Sequence, residues 1–246
     1  MGRFKSYRPQ GVIPATLMAF HDDLSIDEAG SRRHLADVAA TPGLNAITVN
    51  GHASEVHACS FDEQARILAF SLDEVGDRLP LINGVYADGS LEAARIARMA
   101  SAAGASALLV FPPQSMAMGG QLRPEMAMAH FEAIAAATDL PLIVFQYPMA
   151  TGLGYPQETL LRLVDAVPSI IAIKDWSNDV PAHERHIRAL QSLPRPVTVL
   201  TTHSAWLMAS LTLGCGGLLS GAGSVVADLQ VALFEDSRRH AAERSL

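Results

Sequence analysis

The sequence predicts an α/β protein of one domain, residues 1–246, folded as a parallel eight-stranded (β/α)8 TIM barrel. Three observations carry that expectation. Eight short apolar runs alternate with amphipathic stretches of helix length, joined by brief loops punctuated with Gly and Pro. The 246 residues match the usual size of such a barrel, and no linker, low-complexity tract or second compositional regime interrupts them. No GxGxxG follows the first strand, as it would in a doubly wound dinucleotide-binding sheet.

Taken in order, the first strand is Val12 to Phe20, with Pro14 near its beginning, and His21-Asp22-Asp23 turns the chain. Ser25 is placed to cap a helix from about Ile26 to Ala40, which Thr41-Pro42-Gly43 stops. The second strand, Leu44 to Val49, empties into the polar loop Asn50-Gly51-His52-Ala53-Ser54-Glu55, and a helix starts near Phe61-Asp62-Glu63. The alternation continues with strand 79–83, helix 90–103, strand 107–111, helix 124–138, strand 141–147 and helix 157–167. The sixth strand is Ser169 to Asp175, followed by helix 182–193, strand 197–201, helix 204–213 and the eighth strand, 217–220. A last helix leaves Ser224 and runs to about Ala242, with Val226, Leu229, Leu233 and Phe234 expected to cover the eighth strand.

The sixth strand is the most informative. It is a β-branched apolar run that ends abruptly in Lys174-Asp175, which reads as a buried parallel strand with an amine at its C-terminal end. The only other lysine is Lys5; every other basic side chain is arginine. On an arbitrary strand such a lysine would snorkel or pair with an acid. In a parallel barrel the C-terminal strand ends carry the active site, where burial pushes a lysine toward neutrality and makes it a carbonyl nucleophile.

Composition narrows the class further. An apolar content of 49% with 17% charged residues describes a globular chain with a large interior. The net charge of -7 offers no basic stripe for nucleic acid, and no apolar run is long enough to span a bilayer. With no signal-peptide pattern and only Cys59 and Cys215, neither a disulfide framework nor secretion is expected, which places the protein in the cytoplasm.

The loops at the C-terminal strand ends supply the candidate site: His52, Ser54, Glu55, Tyr86, Gln114, Tyr147, Lys174, Trp176, His203 and Ser220. Each has a plainer role as well. His52 also fits a hydrogen-bonded loop histidine, Tyr147 a filler of the barrel mouth, Trp176 a wall of the pocket, and His203 a neighbour of a helix cap. His52, Glu55 and His57 form only a weak metal-ligand pattern, so no metal is expected. Ser220-Gly221-Ala222-Gly223-Ser224 has the composition of a barrel phosphate loop and leaves a phosphorylated substrate as a minority alternative.

The chain resembles the dihydrodipicolinate synthase and N-acetylneuraminate lyase family of lysine-dependent (β/α)8 lyases. The resemblance rests on Gly11-Val12, Asp22-Asp23-Leu24-Ser25-Ile26-Asp27, Gly51 with Glu55, Leu140-Pro141-Leu142-Ile143, Pro148, Thr151-Gly152 and Ile173-Lys174-Asp175, in that order and spacing. It implies that Lys174 forms a Schiff base with a 2-oxo acid such as pyruvate, in a pocket bordered by Gly51, His52, Ala53, Ser54, Phe145, Ser220 and Gly221, with no cofactor and no metal. It also implies a homo-oligomer, a dimer or tetramer. The family's helices beyond the barrel are largely missing, so apolar surface is expected on that flank.

Three departures from the family pattern matter. The two hydroxyl residues after the loop glycine are His52 and Ala53 here, leaving Ser54 and loop amides for the substrate carboxylate. The family's proton-relay tyrosine is replaced by Phe145, and Tyr147, two residues on and on the same strand face, is the candidate relay. The arginine that synthase-type members use for the second substrate is Ala150, which argues against dihydrodipicolinate synthesis itself. A member that has lost turnover and serves as a binding or structural protein is the alternative.

Overall fold

The structure, a computed structural model, describes residue 4 and residues 7–243; Lys5 and the tail residues Arg244, Ser245 and Leu246 lie outside the described residues. Among those described, all eight expected strands are present: β1 Gly11–Pro14, β2 Ile47–Val49, β3 Leu81–Val85, β4 Ala107–Val110, β5 Leu142–Gln146, β6 Ile170–Asp175, β7 Thr198–Thr201 and β8 Gly217–Ser220. Each ladder is parallel, from β2 through β8 in sequence order, and β1 returns to pair with β8 with Gly11 opposite Gly217. The seam between β1 and β2 is made by isolated parallel bridges, Val12 to Leu44 and Ala15 to Thr48, so the sheet closes into a barrel.

Most strands are shorter than their apolar runs. β1 ends at Pro14 and not at Phe20, because side chains capture the backbone beyond it: the Leu17 amide donates to Ser224 Oγ and the Ala19 amide to Ser31 Oγ. β3 begins and ends two residues later than predicted, since the Leu79 amide still closes the preceding helix by donating to the Val75 carbonyl. Gly84 is required within it. A Cβ there would lie 1.8 Å from the Asn50 carbonyl oxygen, so only glycine lets the end of β2 cross so closely.

Helices form where the periodicity placed them, with caps that adjust their starts. α1 Glu28–Ala39 is capped by Asp27, whose carboxylate accepts from the Gly30 amide at 2.8 Å; Ser25, the predicted cap, instead donates to Asp23. α2 Phe61–Val75 carries a reciprocal Ser60/Glu63 capping box. α3 Ser90–Ala103, α4 Pro124–Ala135 and α5 Gln157–Ala166 follow. α6 Val180–Gln191 starts before Ala182 because Asp179 caps it and Pro181 suits its first turn. The helix predicted over 204–213 is split into a 3-10 turn, Ser204–Trp206, and α7 Leu207–Thr212.

The last helix, α8 Gly223–Glu243, breaks at Val226, where φ is -129° and ψ 41°. That break resets the helical phase. Ala227, Gln230 and Val231 become the buried face, Val231 packing on Val12 and Leu218, while Val226 is half-buried and Leu229 is 64% exposed. The expected covering by Val226 and Leu229 is therefore corrected; Leu233 and Phe234 keep their inward, half-buried positions. Val225, Leu229 and Met208 remain as exposed apolar side chains on α7 and α8.

At the N-terminal end of the barrel, Arg195 ties down the entry to β6. Its guanidinium donates to the carbonyls of Pro168, Ile170 and Val164, satisfying backbone acceptors where the lysine strand begins. No described helix is long and apolar enough to cross a membrane.

Candidate active site

Side chains alternate along β6, so Lys174 points into the barrel mouth and its neighbour Asp175 points outward to α6. Lys174 lines a cavity of about 340 Å³ with Ala15, His52, Ala53, Phe145, Trp176, Thr202 and Gly221. It is only 5% exposed, and among the described residues no carboxylate lies within ion-pair distance of it. Its Nζ sits 4.2 Å from the centre of the Phe145 ring, whose face attracts a cation. Burial pulls its pKa from 10.5 to about 7.

His52 projects into the same cavity from a 3-10 turn, His52–Ser54, that follows β2. Its Nε2 is hydrogen-bonded to the phenol oxygen of Tyr147, 95 residues away. Burial first, then the charges of Lys174 and His57, bring the His52 pKa down to about 4, so the imidazole is neutral. Burial, aided by Tyr86, drives the Tyr147 phenol well above its ordinary value, so it stays protonated. The phenol donates to Nε2 when the ring proton sits on Nδ1 and accepts from it in the other tautomer. Around this pair the rings interlock: His52 meets Phe111 at 4.8 Å, and Tyr147 meets Phe145 at 4.7 Å and Trp176 at 5.4 Å. The walls beside the amine are thus apolar and aromatic.

The other predicted positions divide in two. Ala53 and Gly221 border the cavity, and a Cβ added to Gly221 would lie 3.5 Å from that of Ala53, so both small residues keep this side open. Gly51, Ser54 and Ser220 do not line it. The fully buried Ser54 hydroxyl accepts from the Gly51 amide and donates to the Gly51 carbonyl, while Ser220 Oγ accepts from the Ala222 amide and from Gln230. These hydroxyls hold turns together. Glu55, His57 and Gln114 are exposed, and Tyr86 is half-buried against His52. Ala15 and Thr202 were not foreseen in the cavity wall: alanine carries no chemical signal, and Thr202 lies one residue past the end of β7.

A larger cavity of about 540 Å³ opens between the loop after β5 and the start of α6, bordered by Pro148, Ala150, Asn178 and Arg185. Lys174 does not line it. Ala150 stands there, at the place where an arginine was expected for synthase chemistry.

On the outer face of β6, Asp175 is fully buried. Its Oδ2 accepts from Nδ1 of His183 at 2.9 Å and of His186 at 2.8 Å, and its Oδ1 from the Ser177 amide at 2.7 Å. Burial pushes its pKa up, but the hydrogen bonds from His183 and His186 outweigh it and hold the carboxylate ionised far below the usual range. Nothing in the sequence pattern His52, Glu55, His57 assembles a ligand set. Among the described residues, the side chains whose ligand atoms converge are Asp175, His183 and His203. His203 immediately precedes the 3-10 turn as expected, yet its ring is buried and stacked on Trp206.

The dihydrodipicolinate synthetase family model matches residues 8–244. An uncharacterized DapA-like lyase of Halobacterium salinarum is 30% identical over 225 residues, covering 92% of this chain and 71% of that protein. A 4-hydroxy-tetrahydrodipicolinate synthase of Methanopyrus kandleri is 27% identical over 240 residues, 97% of this chain and 77% of its own length. Among solved structures, a prophage protein of the dihydrodipicolinic acid synthase family from E. coli K12, in complex with pyruvate, superposes with a TM-score of 0.87 at 23% identity, covering 96% of this chain and 77% of that one. A Clostridium difficile protein in complex with mannosamine gives 0.85 at 21%, covering 96% and 78%. At those identities the solved structures establish the shared fold.

Proposed function

The chain belongs to the dihydrodipicolinate synthetase family, and from that premise we propose that it is a class I lyase, of aldolase or hydro-lyase type, that forms a Schiff base between Lys174 and a 2-oxo acid such as pyruvate. The observation that carries this is a buried lysine without an ion partner among the described residues, at the C-terminal end of a barrel strand, in a cavity. With a pKa of about 7, roughly half of the amine is neutral at pH 7; at the ordinary value the neutral fraction would be roughly 10³-fold smaller.

The neutral amine attacks the ketone carbon, and the carbinolamine loses water to give the protonated imine. That iminium withdraws electrons from the adjacent carbon, so a carbon-carbon or carbon-oxygen bond next to it forms or breaks, and hydrolysis then returns the amine. The electron sink is organic, and no metal or cofactor is needed for these steps. Tyr147, held by His52, is the group that moves protons at the cavity wall, in place of the phenol that Phe145 lacks. His52, Ala53 and Gly221 border the space for the substrate carboxylate. Ala150 offers no guanidinium to a second carboxylate, so aspartate semialdehyde is a poor partner and dihydrodipicolinate synthesis is not the reaction.

Borohydride reduction in the presence of pyruvate, followed by peptide mass spectrometry, tests the proposal. One substrate mass is expected on Lys174. An unmodified Lys174 across a panel of 2-oxo acids, in folded protein, sinks it and favours the alternative of a binding protein without turnover, which Phe145, Ala53 and Ala150 would suit. The same proposal includes self-association as a dimer or tetramer, supported by the exposed Met208, Val225 and Leu229 on the flank of α7 and α8. A monomer in light scattering at micromolar concentration counts against that part.

A further inference from the structure

Behind the lysine, on the helix side of the sheet, lies a second group of functional side chains that the imine chemistry does not use. We propose that Asp175, His183 and His203 form a binding site for one divalent transition-metal cation of the zinc class, outside the catalytic cavity. Their ligand atoms all lie within 4.8 Å of one another, and all three residues are buried.

His183 stands in place for it. Its Nδ1, in a side chain with no exposure, lies 2.9 Å from Asp175 Oδ2, so a cation that displaces the proton between them would be held by both atoms. Nε2 of His203, a side chain 5% exposed, is buried with no hydrogen-bond partner among the described residues. Buried polar atoms are nearly always satisfied, and an orphaned imidazole nitrogen in a ring 5.6 Å from that of His183 calls for an occupant. The rings are held for it. His203 stacks on Trp206 with centroids 3.9 Å apart and an interplanar angle of 17°, and the edge of the same indole meets His183 at 5.2 Å.

Outer donors hold the carboxylate as well. His186 and the Ser177 amide orient Asp175, the kind of support that fixes and tunes a metal ligand. Two imidazoles with one carboxylate suit zinc-class cations and not calcium or magnesium, which take oxygen ligands. A cation here would also neutralise a fully buried carboxylate that has no Lys or Arg partner among the described residues.

The test uses the full chain stripped by a chelator and titrated with Co²⁺ and Zn²⁺, read by calorimetry and by the visible absorption of cobalt. We expect one equivalent bound per chain, with affinity lowered at least about tenfold in His203→Asn and about tenfold in the outer-donor variant His186→Asn. Zinc should raise the unfolding temperature of the parent chain and leave that of His203→Asn unchanged. Circular dichroism without metal confirms that each variant is folded, and His203→Gln serves if His203→Asn is not. No saturable binding near one equivalent, or equal affinity in the folded His203 variant, overturns the site and leaves a bridging water as the occupant. Borohydride trapping at Lys174 should be the same within twofold with and without chelator. Trapping that requires the cation would overturn its placement outside the reaction path.

Discussion

Lys174 and Asp175 are neighbours on one strand, both buried and both ionisable, yet they meet opposite environments. Lys174 faces apolar and aromatic walls, and burial there brings its pKa to about 7. Asp175 faces three hydrogen-bond donors, and its charge is retained in spite of burial. The inner face thus leaves a charge uncompensated, which destabilises the fold and favours the neutral amine. The outer face holds a charge with hydrogen bonds and ties β6 to α6. In the proposed mechanism the group held in a costly state is the reactive one, and the satisfied group is its support.

The largest expected effect breaks the inner half of this contrast. Lys174→Met should abolish imine trapping and reduce turnover to background, a loss of more than about 10⁴-fold for a covalent nucleophile. The same change should stabilise the fold. The unfolded chain holds the lysine proton up to about pH 10.4 and the folded chain only up to about 7, so the unfolded state binds more protons in between and parent stability rises across that window. At pH 6 the whole penalty is present, and Lys174→Met should gain about 3–5 kcal/mol in urea unfolding, an upper range set by the pKa difference. By pH 10 the gain should have largely gone. A constant difference at both pH values would mean that Lys174 is not desolvated.

The outer half breaks differently. Asp175→Asn should cost about 3 kcal/mol at neutral pH, because two buried imidazoles lose their charged acceptor. Asp175 has a folded pKa below its unfolded one, so its contribution is full above about pH 4 and fades as pH falls further. Parent and variant stabilities should therefore converge in acid, with Lys174 still trapped by borohydride at neutral pH wherever the variant is folded. Equal stabilities at pH 7 would show that Asp175 does not hold α6.

Next in size is the proposed relay. Tyr147→Phe should lower turnover about 10²-fold while leaving trapping possible, since the imine forms on Lys174 but its protons move slowly. His52→Phe should give a loss of similar size if the two act as one unit, and the double variant should be little worse than either alone. Additive losses would separate them, and an unchanged rate in Tyr147→Phe would reduce the phenol to packing.

How far these parts could be read from the sequence follows from how local their causes are. The strands were legible because each is a continuous apolar run, and Lys174 because an amine at such a run's end is conspicuous in a chain with one other lysine. Strand ends were not, since Ser31 and Ser224, distant in sequence, capture the backbone after β1. Ser54 and Ser220 looked like substrate contacts, but each hydroxyl bonds within its own turn, and nothing in a loop's composition tells a free hydroxyl from one so engaged. The His52–Tyr147 contact joins loops 95 residues apart, beyond any periodicity. The outer network did leave a signal. His183 and His186, three apart, share one face of α6 and both reach the aspartate that follows the lysine.

The smallest effect tests what keeps Lys174 from being more neutral still. Its ammonium lies 4.2 Å from the Phe145 ring centre, and the negative ring face favours the charged form against the desolvation that disfavours it. Such an attraction is worth about 0.5–1 kcal/mol, or roughly half a pH unit at 1.36 kcal/mol per unit. In Phe145→Leu the apolar volume is nearly kept and the ring face is lost. Because the change removes stabilisation of the charged state only, the lysine pKa must fall, and the midpoint of the pH profile for trapping should move to lower pH by about half a unit. The maximal trapping rate should change little, as neither the nucleophile nor the Tyr147–His52 pair is altered. A shift to higher pH would mean that the ring's main influence is to exclude water from the amine, which would place the desolvation of Lys174 on this one side chain and not on the whole cavity wall.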